Sequence, residues 1–127
     1  LSGLAFAQTG LGAVHGIAHP VGSLLGVPHG IACATLMLPV MRFNAPVCGD
    51  RYAELASCCG EKPEAEAFLR AAEELFRNLG GTPNLRAFRF GKEHFDFIVR
   101  NCRSASMKQN PRPMSDSDVI AILEQLL

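Results

Sequence analysis

The first 41 residues contain no Asp, Glu, Lys or Arg; all 12 acidic and all 12 basic side chains lie from Arg42 onward. A run that long is not ordinary solvated surface, where charged side chains are the norm and burying them is costly. The segment is therefore expected to sit inside something. Three of the chain's four histidines fall within it: His15, His19 and His29. Imidazoles bind metals and exchange protons near neutral pH. A charge-free segment whose polarity is concentrated in histidine is where chemistry is expected.

The remaining numbers bound the protein. A chain of 127 residues is long enough for a single domain with a real core. Zero net formal charge argues against an electrostatic nucleic-acid partner and against polybasic contact with a membrane. Five cysteines, Cys33, Cys48, Cys58, Cys59 and Cys102, form no CxxC pair and read as the reduced thiols of a cytoplasmic protein. The vicinal Cys58 and Cys59 read as neighbouring helix positions. Residues 1–27 are long enough for a membrane helix, and Gly12 and Gly16 form a GxxxG. They also hold Gln8, Thr9, Ser23, His15, His19, Pro20 and six glycines, which fits a segment packed closely on other protein better than a span in lipid. No basic n-region precedes the apolar part, which argues against a signal peptide; with Leu1 first, a fragment is expected.

The periodicity is helical and no segment alternates as a strand does. An all-α helical bundle of five to seven helices is predicted, as one domain over residues 1–127. Residues 3–25 read as one or two buried helices. Gly26-Val27-Pro28 is a break, and a second helix runs from His29 to Phe43, with Pro39 bending its end and Asn44-Ala45-Pro46 closing it. A short helix is predicted over Cys48 to Cys59, with Tyr52, Leu55, Ala56 and Cys59 on one face. The clearest helix covers Pro63 to Leu79, with an apolar stripe of Phe68, Ala72, Leu75, Phe76 and Leu79 and a Gly80-Gly81 stop. Another covers Lys92 to Arg103, with Phe95, Ile98, Val99 and Cys102 inward. Residues 104–114 read as loop. Ser115 caps a last helix, paired with Asp118.

His15 and His19 are four apart, hence on one helix face and about 6 Å apart along the axis. Such a pair supplies two metal ligands, or one ligand and one proton-transfer group. The break at 26–28 lets His29 return to them, so the three imidazoles are expected to converge. Residues 1–41 offer no carboxylate. The site is therefore either histidine-only or completed by a carboxylate from elsewhere. His94, beside Glu93 in a charged helix, is expected to be simply solvated.

Three blocks in order, Gly10-Leu11-Gly12-Ala13-Val14-His15-Gly16-Ile17-Ala18-His19-Pro20-Val21-Gly22, then Pro28-His29-Gly30, then Leu38-Pro39-Val40-Met41-Arg42-Phe43-Asn44, closely resemble the signature of the iron-dependent (group III) alcohol dehydrogenases. Asn110-Pro111-Arg112-Pro113 resembles that family's motif near the C-terminus. The family's chain is roughly three times this length, with an N-terminal α/β domain that binds NAD or NADP and a helical domain that holds the metal. The resemblance implies that this chain is the last part of the helical domain, without the nucleotide-binding domain. It implies Fe(II), with Zn as an alternative, held by one Asp and three His. His15 and His29 match the last two ligands; the Asp and first His would lie upstream. His19 matches a non-ligand histidine near the nicotinamide, with a role in cofactor placement or proton relay. Phe6 and Leu11 match positions lining the substrate channel. Where many members carry an Asp and some a Cys, six and four residues before the Asn-Pro-Arg motif, this chain has Ser104 and Ser106.

The implied activity is reversible hydride transfer between a small alcohol and NAD(P)+, with the metal as Lewis acid on the substrate oxygen. This chain alone, lacking a glycine-rich phosphate cradle, is expected to be inactive, to bind metal loosely, and to self-associate as a homo-oligomer through its charge-free segment, by its Gly12 and Gly16 faces or by helix exchange. The alternatives are a stand-alone helical metal-binding or interaction module with a complete three-histidine site, and a membrane-associated helix pair.

Overall fold

The computed structural model describes residues 1, 3–4 and 10–127. Six α-helices lie wholly within them, and no strand: α1 Ala13–Leu25, α2 His29–Cys58, α3 Ala65–Asn78, α4 Phe95–Asn101, α5 Ala105–Lys108 and α6 Asp116–Glu124. Single 3-10 turns cover Arg86–Phe88 and Lys92–His94. The all-α prediction holds.

The charge-free segment builds the centre. Ala13, Ile17, Ala18 and Val21 of α1 are fully buried, and the helix packs on α2, α4 and α5. Its glycines make that approach possible. A Cβ on Gly16 would lie 3.1 Å from Met107 Cβ and 3.3 Å from the Cys102 carbonyl oxygen; one on Gly12 would lie 3.2 Å from Asn110 Oδ1. The GxxxG face expected to join two copies is thus occupied inside the chain. Leu36 and Val40 of α2, Leu85 from the α3–α4 connection, Ile98, Cys102, Met107 and the α6 residues Val119, Ile122 and Leu123 complete the cluster around α1. Burying each large aliphatic side chain is worth about 1.5–3 kcal/mol, so this cluster fixes the helix that carries His15 and His19. The opposite side of the segment is open: His19, Ser23, Leu24, Pro28, His29 and Gly30 are exposed.

α2 corrects the predicted boundaries. It runs unbroken for 30 residues through Pro39 and Pro46, so no separate helix starts at Cys48. A proline inside a helix removes one amide donor. Around Pro46 side chains take up the neighbouring carbonyls: Arg112 Nη1 donates to Phe43 O at 2.8 Å and Tyr52 Oη to Met41 O at 3.3 Å. Of the face predicted there, Ala56 is buried and Tyr52 half-buried, while Leu55 and Cys59 are exposed. α2 is, among the described residues, the one helix long and apolar enough by composition to cross a membrane. Yet α3 lies along it bearing Glu66, Arg70, Glu73, Glu74 and Arg77, and Arg42 pairs with Glu66 (3.8 Å) and with Glu73. Hydrocarbon would not accept that companion.

α3 stops as its glycines predicted. Gly80 and Gly81 both take φ of 99°, Gly81 N–H donates to Phe76 O (2.8 Å) and Gly80 N–H to Arg77 O (3.2 Å), a left-handed double-bonded stop. Its apolar stripe is only partly covered. Phe68, Ala72 and Phe76 are half-buried and Leu75 and Leu79 are 58% and 73% exposed, while the buried positions are Ala67 and Leu69, on the side where α3 packs on α2. Phe95, Ile98 and Cys102 point inward as predicted, with Val99 half-buried. The predicted loop at 104–114 contains α5, whose first turn is capped by Ser104 Oγ accepting from Met107 N–H at 3.5 Å. Ser115 and Asp118 form the predicted capping box. His94 is not simply solvated: its ring is partly buried on Phe90, and Nδ1 accepts the Gly91 amide at 3.1 Å.

Candidate metal centre

The histidines meet because the chain reverses between α1 and α2. Gly26 caps α1 in the left-handed region (φ 66°), its N–H returning to Gly22 O at 2.9 Å. A side chain at that φ would be strained, which is why glycine ends this helix. Val27 is buried, and Pro28, extended at ψ 134°, offers its carbonyl to Ile31 and Ala32 and so starts α2 at His29. His29 is thereby set against the first turns of α1.

All three imidazoles converge. Ring centroids are 5.2 Å apart for His15 and His29, 5.6 Å for His19 and His29, and 6.3 Å for His15 and His19. Within this group the donor atoms divide differently. One ring nitrogen each of His15 and His29 and the Cys33 sulfur lie within 4.8 Å of one another. His19 is exposed and outside that cluster, at its edge. Cys33 Sγ sits 3.5 Å from His29 Nε2. The sequence reading missed Cys33 by treating every cysteine as background thiol. The signal was there: His29 and Cys33 are four apart, the same one-turn spacing as His15 and His19.

The electrostatics suit cation binding. Burial first, then the neighbouring His29 and His19, hold the His15 pKa below its ordinary range. His15 is therefore a neutral imidazole at neutral pH, with a lone pair free for a metal. Burial pushes the Cys33 thiol up. Among the described residues the cluster includes no carboxylate. Two imidazoles and a thiol fit a divalent transition metal and leave coordination positions for other groups. Leu11, half-buried, lies two residues before α1. Phe6 lies outside the described residues.

A second set of residues holds the two histidine helices together. Asn110, buried, accepts from Ala13 N–H at 3.2 Å, in the first turn of α1, and exchanges two hydrogen bonds with Asn44 in mid-α2. Its amide also donates to Arg112 O at 2.7 Å. The Arg112 guanidinium lies 4.1 Å over the Phe43 ring. The Asn-Pro-Arg segment is thus the clamp that sets α1, and with it His15, against α2.

Comparison with known proteins places these features in context. The family described as Fe-containing alcohol dehydrogenase, C-terminal, matches residues 1–127. The chain is 35% identical over 130 residues to lactaldehyde reductase of Escherichia coli (strain K12), covering 96% of this chain and 34% of that protein. It is 35% identical over 141 residues to 1-propanol dehydrogenase of Salmonella typhimurium, covering 100% and 38%. Among solved structures, a 1,3-propanediol oxidoreductase superposes with a TM-score of 0.89 at 28% identity, covering 98% of this chain and 35% of that one. An alcohol dehydrogenase from Oenococcus oeni superposes at 0.85 and 28%, with the same coverage. The chain spans about a third of the length of these relatives.

Proposed function

Because the chain belongs to the iron-containing alcohol dehydrogenase family, as its C-terminal helical part, we propose that it carries half of the metal site of an enzyme that reversibly oxidises an alcohol to an aldehyde or ketone with NAD or NADP. The observation that carries this reading is the meeting of His15 and His29 across the α1–α2 reversal, 5.2 Å between ring centroids.

His15 and His29 hold the metal through neutral imidazoles, His15 already kept unprotonated by its surroundings. The metal, Fe(II) or alternatively Zn, supplies Lewis acidity toward the substrate oxygen when bound. An Asp and a further His complete its shell from the preceding part of the helical domain, and a separate nucleotide-binding domain holds the NAD(P). The relatives' threefold greater length supports that division. His19 is not a ligand in this reading. Exposed and 5.6 Å from His29, it moves a proton to or from the substrate oxygen, or seats the nicotinamide. Leu11 and Phe6 line the channel by which substrate arrives. The exposed face of residues 19–30 is where the rest of the protein covers the site, which keeps water from the reacting carbon.

The test is an assay of the full-length protein with lactaldehyde, propanal and 1,3-propanediol as the panel, following NAD(P)H absorbance. Turnover that a chelator abolishes and Fe(II) or Zn restores is expected. Absence of nucleotide-linked turnover with any small alcohol or aldehyde, in a folded and metal-loaded protein, contradicts the reading.

A further inference from the structure

We propose that Asn110 is a positioning residue for the metal centre: it caps the start of α1 from across the fold and thereby holds His15 at the site. The proposal rests on the reading of His15 and His29 as ligands and adds what keeps the first of them in place.

Both histidines sit in the first turn of a helix, where backbone amides have no partner within the helix. His29 opens α2, and His15 is the third residue of α1. Such turns fray unless something ties them down. α2 is tied locally: the Pro28 ring holds φ at −54°, and its carbonyl takes the Ile31 and Ala32 amides. α1 has no such device. Its N-cap is Gly12, which has no side chain to offer, and its first turn holds no acidic residue. The missing acceptor comes from 97 residues away, as Asn110 Oδ1 takes the Ala13 N–H at 3.2 Å.

Gly12 explains why the cap is remote. Its backbone is extended, with φ −104° and ψ −161°, so a left-handed turn is not what calls for glycine here. Space is: a Cβ at this position would lie 3.2 Å from Asn110 Oδ1. The glycine is the opening through which Asn110 reaches the helix. Asn110 itself is fixed, being buried, bonded twice to Asn44 and donating to Arg112 O. His15 lies two residues beyond the capped amide, within the turn that the cap holds. His19 lies a full turn further in and depends on the cap less.

Zn(II) affinity of the full-length protein tests this, by competition with a chromogenic chelator at a temperature where circular dichroism shows the variants folded. Asn110→Ala is expected to weaken Zn(II) binding about tenfold or more, the loss typical of residues that orient metal ligands. Leu69→Ala controls for stability. Leu69 is buried where α3 packs on α2, outside the cluster around α1. Its truncation lowers the unfolding midpoint and leaves Zn(II) affinity unchanged. Gly12→Ser in the Asn110→Ala background is the rescue. The alanine vacates the space beside residue 12, a serine N-cap accepts a first-turn amide, and most of the affinity returns. If Asn110→Ala does not fold, Asn110→Asp decides, since it keeps an acceptor for Ala13 and loses only the amide donors. It is expected to bind Zn(II) as the unaltered protein does, and a tenfold weakening there overturns the proposal. Unchanged affinity in Asn110→Ala, or an equal loss in Leu69→Ala, also overturns it, while loss of binding in His15→Ala leaves the ligand reading standing. A weakening that Gly12→Ser fails to restore overturns the capping role. Binding indifferent to His15→Ala overturns the ligand reading itself.

Discussion

Asn110 and Asn44 face each other across 66 residues of sequence through a reciprocal pair of buried hydrogen bonds, 2.8 Å in one direction and 3.1 Å in the other. The same Asn110 oxygen accepts the Ala13 amide and the same nitrogen donates to Arg112 O, so every polar group of the side chain is used. One amide side chain therefore registers the start of α1 against the middle of α2.

Replacing it should be costly. Asn110→Ala leaves the Ala13 N–H and the Asn44 amide buried without partners, and a loss of about 3 kcal/mol is expected in urea unfolding. Asn44→Ala should cost less, since Ala13 and Arg112 keep their bonds to Asn110. The double variant should fall short of the sum of the two by about 1–2 kcal/mol, as for residues in one network. Strict additivity would show that the two amides act independently.

Two glycines should respond with opposite sign. Gly16→Ala puts a methyl 3.1 Å from Met107 Cβ and 3.3 Å from a backbone carbonyl. A destabilisation of about 1–3 kcal/mol is expected from this overpacking. Gly49, inside α2, has nothing within 4 Å of where a Cβ would sit. Gly49→Ala should stabilise by about 0.5–1 kcal/mol through helix propensity alone. Thermal unfolding of the two variants checks both signs.

What the sequence disclosed was local. The Ser115–Asp118 box, the Gly80-Gly81 stop and the convergence of His15, His19 and His29 all follow from spacings of a few residues or from one break, and each stands in the structure. The continuous α2 was hidden because its prolines read as breaks. Near Pro46, Phe43 O accepts from Arg112 and Met41 O from Tyr52, and Arg112 is brought there only by the fold. The Asn44–Asn110 clamp was hidden for the same reason. Cys33 was legible in principle, by the one-turn step from His29, but residue type had already assigned it to the background. The absence of charge led to the expectation that residues 1–41 sit inside something; among the described residues of that segment one side of α1 is buried, while His19, Ser23, Leu24, Pro28, His29 and Gly30 are exposed. It could not show that one side of α1 packs within this chain while His19 and His29 stay open.

Ser115 controls the start of α6. Its hydroxyl and then its amide hydrogen-bond the Asp118 carboxylate and hold that pKa below the ordinary aspartate value. A lowered carboxylate pKa contributes stability that is present above the unfolded value and is lost as pH falls through the folded one. Ser115→Ala should raise the Asp118 pKa toward its ordinary value, read by NMR titration, and weaken the helix start by about 1 kcal/mol. An unchanged Asp118 titration would contradict the assignment of cause.

The division of labour among three neighbouring histidines is the centre of this account, and metal content of the purified full-length protein measures it. His15→Ala and His29→Ala should each lose bound metal, because each removes a ligand. His19→Ala should retain metal at the level of the unaltered protein while turnover falls about 10²-fold or more, the scale of a lost proton-transfer group. Metal lost from His19→Ala as fully as from His15→Ala, in proteins with the same helical content, would contradict it.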